Sequence, residues 1–172
     1  MSDKDELTGA LRRDAFIPFL SAEIGKSSVT NMPFFLMCAN IDNMKRFNMH
    51  NGYLLGDKLL ANFVELANSQ FDRRFPISRY GGDWFVSIFN EVTIEEAGHL
   101  TSGLCDKVRA SLSPTQVEHC GDKHCLGPTK VSVSIGVAVW TKGKTVESLF
   151  REAEDSLYKA KITSRGKVCI SV

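Results

Sequence analysis

The sequence has no long hydrophobic run and almost no excess charge of either sign. None of its apolar segments approaches the roughly 20 residues that a helix needs to cross a bilayer, and no signal-peptide pattern is present. With 21 Lys and Arg residues against 20 Asp and Glu residues, the formal net charge is +1. Such a balance gives no electrostatic basis for binding nucleic acid or a membrane surface. We therefore expect neither nucleic acid nor a membrane among the partners.

Cysteine is scarce and odd in number, and the chain has no internal repeat or low-complexity tract. Five cysteines cannot pair completely, which suits a reducing compartment, so we expect a cytoplasmic protein. Of the 172 residues 43% are hydrophobic, which is enough apolar material for one core. We expect a single domain over residues 1–172.

Two histidines and two cysteines lie close together between residues 113 and 130. They are His119, Cys120, His124 and Cys125. These residue types bind zinc in many proteins, but here neighbouring ligands lack the usual spaced-pair arrangement and do not easily converge on one tetrahedral ion. We favour a surface loop with reduced thiols, and a zinc site is the alternative.

Two glycines and an aspartate separate two segments with strand composition. Residues 75–80 and 84–89 contain aromatic and β-branched side chains that suit a half-buried pleat. We predict a hairpin with Gly81-Gly82 as its turn and Asp83 just past it, because glycine reaches positive φ without steric cost. A phosphate or a base could then approach the backbone beside a carboxylate. Taken alone, the pattern favours an ordinary hairpin with a turn-favouring aspartate.

A continuously apolar run at residues 34–39 predicts a strand that is covered on both faces. Asn40, Ile41 and Asp42 follow it directly, and a polar cluster at the end of a buried strand is a natural place for a site. Asn40 and Asp42 share one face if the strand persists through them.

The remaining patterns complete a layered α/β domain, because predicted helices and strands alternate along the chain. Apolar residues recur with a spacing near 3.6 in the helical segments. We predict helices at residues 13–25, 56–71, 94–111 and 146–162, and strands at residues 34–41, 131–140 and 167–171 beside the hairpin.

Six blocks, in the same order and over nearly the whole chain, resemble the motifs of the GGDEF family of diguanylate cyclases. The signature block reads Gly-Gly-Asp-Trp-Phe, with tryptophan where the family usually has glutamate. The blocks are residues 5–9 with Arg12, Arg13 and Phe16, residues 40–48, Gly52 with Gly56 and Asp57, residues 81–85, residues 131–138, and residues 153–161.

The resemblance implies a palm-like α/β fold, with a central, mostly antiparallel sheet of about five strands flanked by helices. It also implies condensation of two GTP into cyclic di-GMP by a homodimer in which each protomer presents one GTP. Joining a 3′-hydroxyl to an α-phosphate needs cations that neutralise the developing charge, so Mg²⁺ or Mn²⁺ would accompany the nucleotide. Pairing with another GGDEF protein or with an EAL protein is the other association that we consider.

At the metal-binding positions of the family, this sequence departs from the pattern. The resemblance places metal ligands at Asn40, at the backbone carbonyl of Ile41 and at Asp83, with a further acid at position 84. Asn40 lacks the charge of the usual aspartate, and Trp84 is a bulky ring in place of an acid. We therefore expect weakened metal binding and no general base at position 84. Asp42 is the nearby carboxylate that could compensate.

The nucleotide-binding positions match the family pattern more closely than the metal-binding positions do. The resemblance assigns the guanine edge to Asn48 and Asp57, whose amide and carboxylate suit the donors and acceptors of guanine. Without the resemblance, the asparagine would be interpreted as a helix cap and the aspartate as a first-turn charge beside the helix dipole. Contacts to the phosphates are implied for Lys161, for Arg165 and for the backbone N–H groups of Asn43, Met44 and Lys45.

These departures leave two functions open. The product-inhibition motif of the family, Arg-x-x-Asp, is absent, because the corresponding residues 72–75 read Asp-Arg-Arg-Phe. We expect a degenerate domain of cyclic di-GMP signalling, catalytically impaired, that binds GTP or another protein. The alternative is a working cyclase with altered metal use or an altered product, which the retained Asp83, Asn48 and Asp57 favour.

Overall fold

The computed structural model describes residues 3–112 and 130–171, and within these ranges the chain forms six strands and five helices. The strands are β1 (Leu11–Arg12), β2 (Phe34–Ile41), β3 (Ser78–Gly81), β4 (Trp84–Asn90), β5 (Val133–Trp140) and β6 (Val168–Ser171). The helices are α1 (Arg13–Thr30), α2 (Met44–Asn51), α3 (Tyr53–Gln70), α4 (Ile94–Ser111) and α5 (Val146–Ser164).

The strands form one sheet with β2 near its centre, in the order β1-β3-β4-β2-β5-β6. β2 pairs antiparallel with β4 on one side and with β5 on the other, and β3 pairs antiparallel with β4. β1 and β6 join the two edges as parallel neighbours of β3 and β5. The predicted α/β fold with a mostly antiparallel sheet is confirmed. The additional strand, β1, has two residues, too few to show a pattern in sequence.

Alternate residues of β2 face two separate hydrophobic layers. Odd-numbered residues such as Phe35 and Met37 pack in a cluster with α3 and α4. Even-numbered residues such as Leu36 and Cys38 pack in a second cluster with α1 and α5. Burial of each large apolar side chain contributes roughly 1.5–3 kcal/mol, so both layers hold the strand in place. This two-sided burial explains why β2 reads as an unbroken apolar run.

Some boundaries differ from the predicted ones. α1 continues past its predicted end at Gly25 and ends where Asn31 adopts a left-handed conformation, with φ of 56°. α2 is absent from the sequence prediction because its eight residues bury only Met44 and Phe47. α3 begins at Tyr53 rather than at residue 56. None of the helices in residues 3–112 and 130–171 combines the length and the apolar character that crossing a bilayer requires.

The first strand of the hairpin is shorter than predicted. Phe75 and Ile77 are buried, yet β3 begins only at Ser78. Pro76 lies between them and has no N–H to contribute to a ladder, which explains why regular pairing starts after it.

α5 packs directly against β5 at Gly136. A Cβ atom at Gly136 would lie 2.1 Å from the carbonyl oxygen of Ala153 and 2.2 Å from the backbone nitrogen of Leu157. Because both are backbone atoms of α5, only glycine allows the helix to approach the strand this closely. α5 carries Lys161 in its last turn, so this contact fixes the position of Lys161 over the sheet.

Gly136→Ala should lower the free energy of unfolding by about 1–3 kcal/mol or more, because the added methyl group must push the backbone of α5 away. Urea denaturation followed by circular dichroism measures the change. Gly98→Ala in α4 is the matched control: its Cβ would meet Ile170 Cδ1 at an ordinary 3.6 Å, and alanine favours a helix interior over glycine. An unchanged midpoint for Gly136→Ala would contradict the close packing of α5 on β5.

Candidate functional site

The signature segment folds as a tight hairpin between β3 and β4. Gly81 pairs with Trp84, so the two turn residues are Gly82 and Asp83. The predicted turn at Gly81-Gly82 is therefore wrong by one residue, and Asp83 lies within the turn. The reason is a register shift between Arg79 and Gly81, which the sequence pattern does not reveal. Gly82 has a φ of 55°, a conformation that residues with a Cβ rarely adopt.

Arg79 connects this turn to the N-terminal segment. Its Nε donates a hydrogen bond to the carbonyl oxygen of Gly82 at 2.8 Å, and its Nη1 lies 3.1 Å from the carboxylate of Asp5. Asp5 also accepts hydrogen bonds from the N–H and the hydroxyl of Thr8, at 2.9 and 2.7 Å. Burial acts to raise the pKa of Asp5, but the bonds from Thr8 and Arg79 outweigh it and hold that pKa below its ordinary value.

The end of β2 meets the same turn through Asn40. The Nδ2 of Asn40 donates to the carbonyl oxygen of Asp83 at 3.2 Å, and the backbone N–H of Ile41 donates to that oxygen at 3.4 Å. The Oδ1 of Asn40 accepts a hydrogen bond from the Nζ of Lys161 at 2.5 Å. Among the predicted site residues, the structure thus joins Asn40, Ile41, Asp83 and Lys161 by direct contacts. Both ends of the Asn40 amide are engaged.

Trp84 lies directly opposite Asn40 in the ladder between β2 and β4. Its ring makes an edge contact with Tyr80, with the ring centroids 6.2 Å apart. Tyr80 in turn packs on Phe150 of α5 at 5.0 Å, and the guanidinium of Arg13 lies 4.6 Å from the Tyr80 centroid. Position 84 therefore contributes to an aromatic cluster and supplies no carboxylate.

The carboxylate of Asp42 is engaged by three hydrogen-bond donors. It is only 5% exposed, and its carboxylate accepts hydrogen bonds from the hydroxyls of Ser132 at 2.6 Å and Ser134 at 2.8 Å. The backbone N–H of Gly166 donates a third bond, at 3.1 Å. These bonds tie the segment after α5, including Arg165, to the end of β2. Asp42 thus joins β5 and the segment after α5 to the end of β2.

Asn48 is held against α3 by Gly56. A Cβ atom at Gly56 would lie 1.9 Å from the Oδ1 of Asn48, so the side chain fits only because residue 56 is glycine. That Oδ1 is buried and has no hydrogen-bond partner among residues 3–112 and 130–171. Asp57, the next residue of α3, is exposed. The structure thus places the two residues predicted to bind guanine at one junction, between α2 and α3, with an unused acceptor.

The predicted phosphate contacts lie at two helix ends. α2 begins after Asn43, which has a φ of 57°, and N–H groups in the first turn of a helix, such as those of Met44 and Lys45, have no partner within it. Lys161 lies in the last turn of α5, and Arg165 follows that helix and is exposed. One end offers N–H donors to an anion, and the other offers positive charge.

The side chains at the predicted metal position do not fit a divalent cation. Mg²⁺ takes oxygen ligands, usually including one or two carboxylates. Asp83 supplies one carboxylate, but the amide oxygen of Asn40 already accepts from the Lys161 ammonium, and Trp84 supplies no ligand. In residues 3–112 and 130–171, no group of three or more His, Cys, Asp or Glu side chains is placed to hold a metal ion.

The residues of the zinc alternative lie outside the described part of the chain: His119, Cys120, His124 and Cys125. Cys38 and Cys105 are buried, and burial raises the pKa of both thiols, that of Cys105 to about 12. The Sγ of Cys105 donates to the carbonyl oxygen of Val133 at 3.4 Å. These two thiols are therefore neutral core groups.

Comparison with known proteins identifies the family. The sequence model described as "Diguanylate cyclase, GGDEF domain" matches residues 2–167. The chain belongs to the GGDEF family. Diguanylate cyclase DgcP of Pseudomonas aeruginosa is 26% identical over 164 residues, which are 95% of this chain and 23% of that protein. Probable diguanylate cyclase DgcI of Escherichia coli is 32% identical over 165 residues, which are 95% of this chain and 32% of that protein. The chain thus spans about a quarter to a third of these relatives.

A solved structure confirms the GGDEF fold. The coiled coil and GGDEF domain of DgcB from Caulobacter crescentus, crystallised in complex with c-di-GMP, superposes with a TM-score of 0.86 at 22% identity. The match covers 98% of this chain and 85% of the other. At this level of identity the likeness concerns the fold alone.

Three residues that shape the site of this GGDEF domain are absent from the predicted site: Asp5, Gly56 and Arg79. Asp5 and Gly56 each lie within one of the six motif blocks. Their place in those blocks is the feature of the sequence that could have indicated a role in the site. Arg79 precedes the two glycines of the signature, but its bond to Asp5 joins residues 74 positions apart. No local pattern reports a contact of that separation.

Asp5→Asn should destabilise the domain by about 1–2 kcal/mol at neutral pH, because Thr8 and Arg79 lose their ionised acceptor. The folded-state pKa of Asp5 is lowered, so its contribution is present above the unfolded-state pKa and is lost as the pH falls through the folded-state pKa. Urea unfolding at neutral pH and at acidic pH should therefore show wild type and variant converging in acid.

Asp14→Asn is the control for that experiment. Asp14 forms a comparable ion pair with Arg12 at 2.8 Å, but both side chains are largely exposed, and solvent screens such pairs. We expect no measurable change in stability. A loss as large as that of Asp5→Asn, or an Asp5 effect that persists in acid, would contradict the role assigned to the Asp5–Arg79 pair.

Proposed function

We propose that this chain is a degenerate GGDEF domain of cyclic di-GMP signalling that is catalytically impaired and works by binding a guanine nucleotide. One observation carries the proposal: the amide of Asn40 accepts from Lys161 and donates to the carbonyl oxygen of Asp83. Where a cyclase needs an anionic metal ligand, this chain has a neutral group whose two ends are already bonded.

The chemistry of cyclisation explains the impairment. Attack of a 3′-hydroxyl on an α-phosphate develops negative charge that cations must neutralise, and a base must accept the hydroxyl proton. Asn40 brings no charge, and Trp84 brings no base because its indole N–H can only donate a hydrogen bond. Loss of a general base alone typically lowers a rate by about 10²–10⁴. Asp83 is the acid of the signature that remains.

The junction of α2 and α3 supports binding of guanine. Within the described part of the chain, the buried Oδ1 of Asn48 has no hydrogen-bond donor, and leaving a buried acceptor unpaired costs about 1–3 kcal/mol. A ligand that donates a hydrogen bond there would remove that cost. The N1–H and exocyclic amine of guanine are donors, matched to the amide oxygen of Asn48 and to the carboxylate of Asp57.

The two helix ends support binding of a triphosphate. Lys161 is held by Asn40, and the bond from the Gly166 N–H to Asp42 anchors the backbone beside Arg165, whose side chain is exposed. Two cations on this side of the site suit the phosphates of GTP, and the N–H groups at the start of α2 suit them as well.

A signalling role needs a partner, because a domain without turnover transmits a signal only through what it contacts. We propose a second copy of this chain, or another protein with a GGDEF or EAL domain, as the partner, and the cytoplasm as the location. In either pairing, the bound nucleotide would determine which surface of this domain is available to the partner.

An active cyclase is the second candidate. The retained carboxylate of Asp83, beside the contact between Asn40 and Lys161, and the unbonded Oδ1 of Asn48 favour it. Activity would then depend on Mg²⁺ or Mn²⁺ bound largely through the phosphates of the nucleotide, and on a homodimer that brings two GTP molecules together.

Purified protein incubated with GTP, and separately with ATP, in Mg²⁺ and in Mn²⁺ should leave the nucleotide unchanged. Liquid chromatography with mass spectrometry measures the products. Asn40→Asp combined with Trp84→Glu should raise metal-dependent turnover of GTP, because it restores both missing carboxylates. Trp84→Phe, which keeps an aromatic ring, should not. A cyclic dinucleotide formed by the unmodified chain would establish the second candidate instead.

Gly56→Ala should weaken binding of a fluorescent GTP analogue by about tenfold or more, which corresponds to about 1.4 kcal/mol. The new Cβ displaces the Asn48 side chain, which lies 1.9 Å away at Oδ1 and 2.9 Å away at Cγ. Because a flexible side-chain end moves aside cheaply, the fold should persist. Fluorescence titration gives the dissociation constant, and thermal unfolding reports the fold.

Gly25→Ala in α1 serves as the control for Gly56→Ala. No atom lies within 4 Å of the Cβ that it would add, so neither binding nor folding should suffer. Equal affinities for the Gly56→Ala variant and for wild type would refute the placement of guanine at the α2–α3 junction.

A further inference from the structure

The charge of Lys161 is not neutralised by the group that holds it. Its ammonium donates to the Oδ1 of Asn40, a neutral oxygen. Asp42 is the nearest carboxylate along the chain from Asn40, and its oxygens accept from Ser132, Ser134 and Gly166. Lys161 forms no ion pair with a carboxylate of residues 3–112 and 130–171, so its charge is available to an anion.

Two contacts set the position of this ammonium. α5 lies against β5 at Gly136 without room for a methyl group, which sets the depth of the helix. Asn40 accepts a hydrogen bond from the ammonium and donates one to the carbonyl oxygen of Asp83 in the signature turn. Lys161 is half-buried, whereas Lys159, on the same helix, is exposed. A cation held this way needs little reordering when an anion arrives.

A divalent ion and this ammonium would compete for the same place. The Lys161 ammonium lies 2.5 Å from the one side-chain oxygen that position 40 offers, so a metal ion there would have to displace it or lie beside a like charge. One carboxylate, that of Asp83, does not offset both cations. The contact between Asn40 and Lys161 therefore favours a site in which the Lys161 ammonium, and not a metal ion, supplies the positive charge.

We propose that the Lys161 ammonium, held by Asn40, takes the place of a divalent cation, so that this domain binds a nucleoside triphosphate without metal. The inference rests on the proposed nucleotide-binding function and adds the way in which the phosphate charge is neutralised. Arg165, in the segment anchored by Asp42, supplies the second positive charge. No covalent step is involved.

Calorimetric titration of the whole chain with a GTP analogue carrying an α,β-methylene bridge tests the proposal, because this probe resists attack at the α-phosphate. One series contains excess EDTA and the other contains millimolar Mg²⁺. We expect dissociation constants that agree within about twofold. Binding in Mg²⁺ that is about tenfold tighter or more than in EDTA would overturn the metal-independent site and leave the proposed nucleotide binding intact. Absence of binding in both series would refute the proposed function itself.

Two variants separate this role from a simple surface charge. Lys161→Gln should weaken binding in EDTA by about tenfold or more, and Lys159→Gln, with the same loss of charge at an exposed position two residues away, should change it little. Asn40→Asp should make binding depend on Mg²⁺, because the new carboxylate attracts a divalent ion. Equal losses for the two lysine variants, or an Asn40→Asp variant that still ignores Mg²⁺, would overturn the assignment.

Discussion

The alignment of β2 with its two neighbours is the constraint on which the rest of the site depends. Hydrogen bonds to β4 and β5 fix the register along the whole strand, so Asn40 faces Trp84 on one side and Ser134 on the other. Burial on both faces prevents a slip, because a shift of one residue would turn every side chain toward the wrong layer. The contacts of Asn40 with the hairpin and of Asp42 with the segment after α5 follow from this register.

With the register of β2 fixed, an amide in place of an acid at position 40 changes which hydrogen bonds the end of the strand can form. A carboxylate only accepts hydrogen bonds, whereas an amide also donates. Asn40 uses the donor to bind the carbonyl oxygen of Asp83 and the acceptor to bind Lys161, so one side chain links the strand, the hairpin turn and α5. The site becomes a structural junction that contains a cation of its own.

The sequence predicts the layers of this fold better than the details of its site. Strand β2 and helix α4 match their predicted bounds because each has an apolar pattern of sufficient length. The position of the turn depends on a register shift at Arg79, and the support of that turn depends on a contact with Asp5 far away in sequence. The fit of Asn48 against Gly56 depends on how two helices meet. Such features arise from tertiary contacts, which neither composition nor periodicity encodes.

The two departures from the family pattern also make sense together. Positions 40 and 84 are direct partners on neighbouring strands, and like charges at such positions repel each other unless a cation lies between them. With asparagine and tryptophan there, no repulsion remains, and the ring of Trp84 gains the contact with Tyr80. Neither position therefore carries a charge that a cation would have to offset. An acid restored at position 40 would again offer a carboxylate to a divalent ion, and acids at both positions would bring back the repulsion that such an ion offsets.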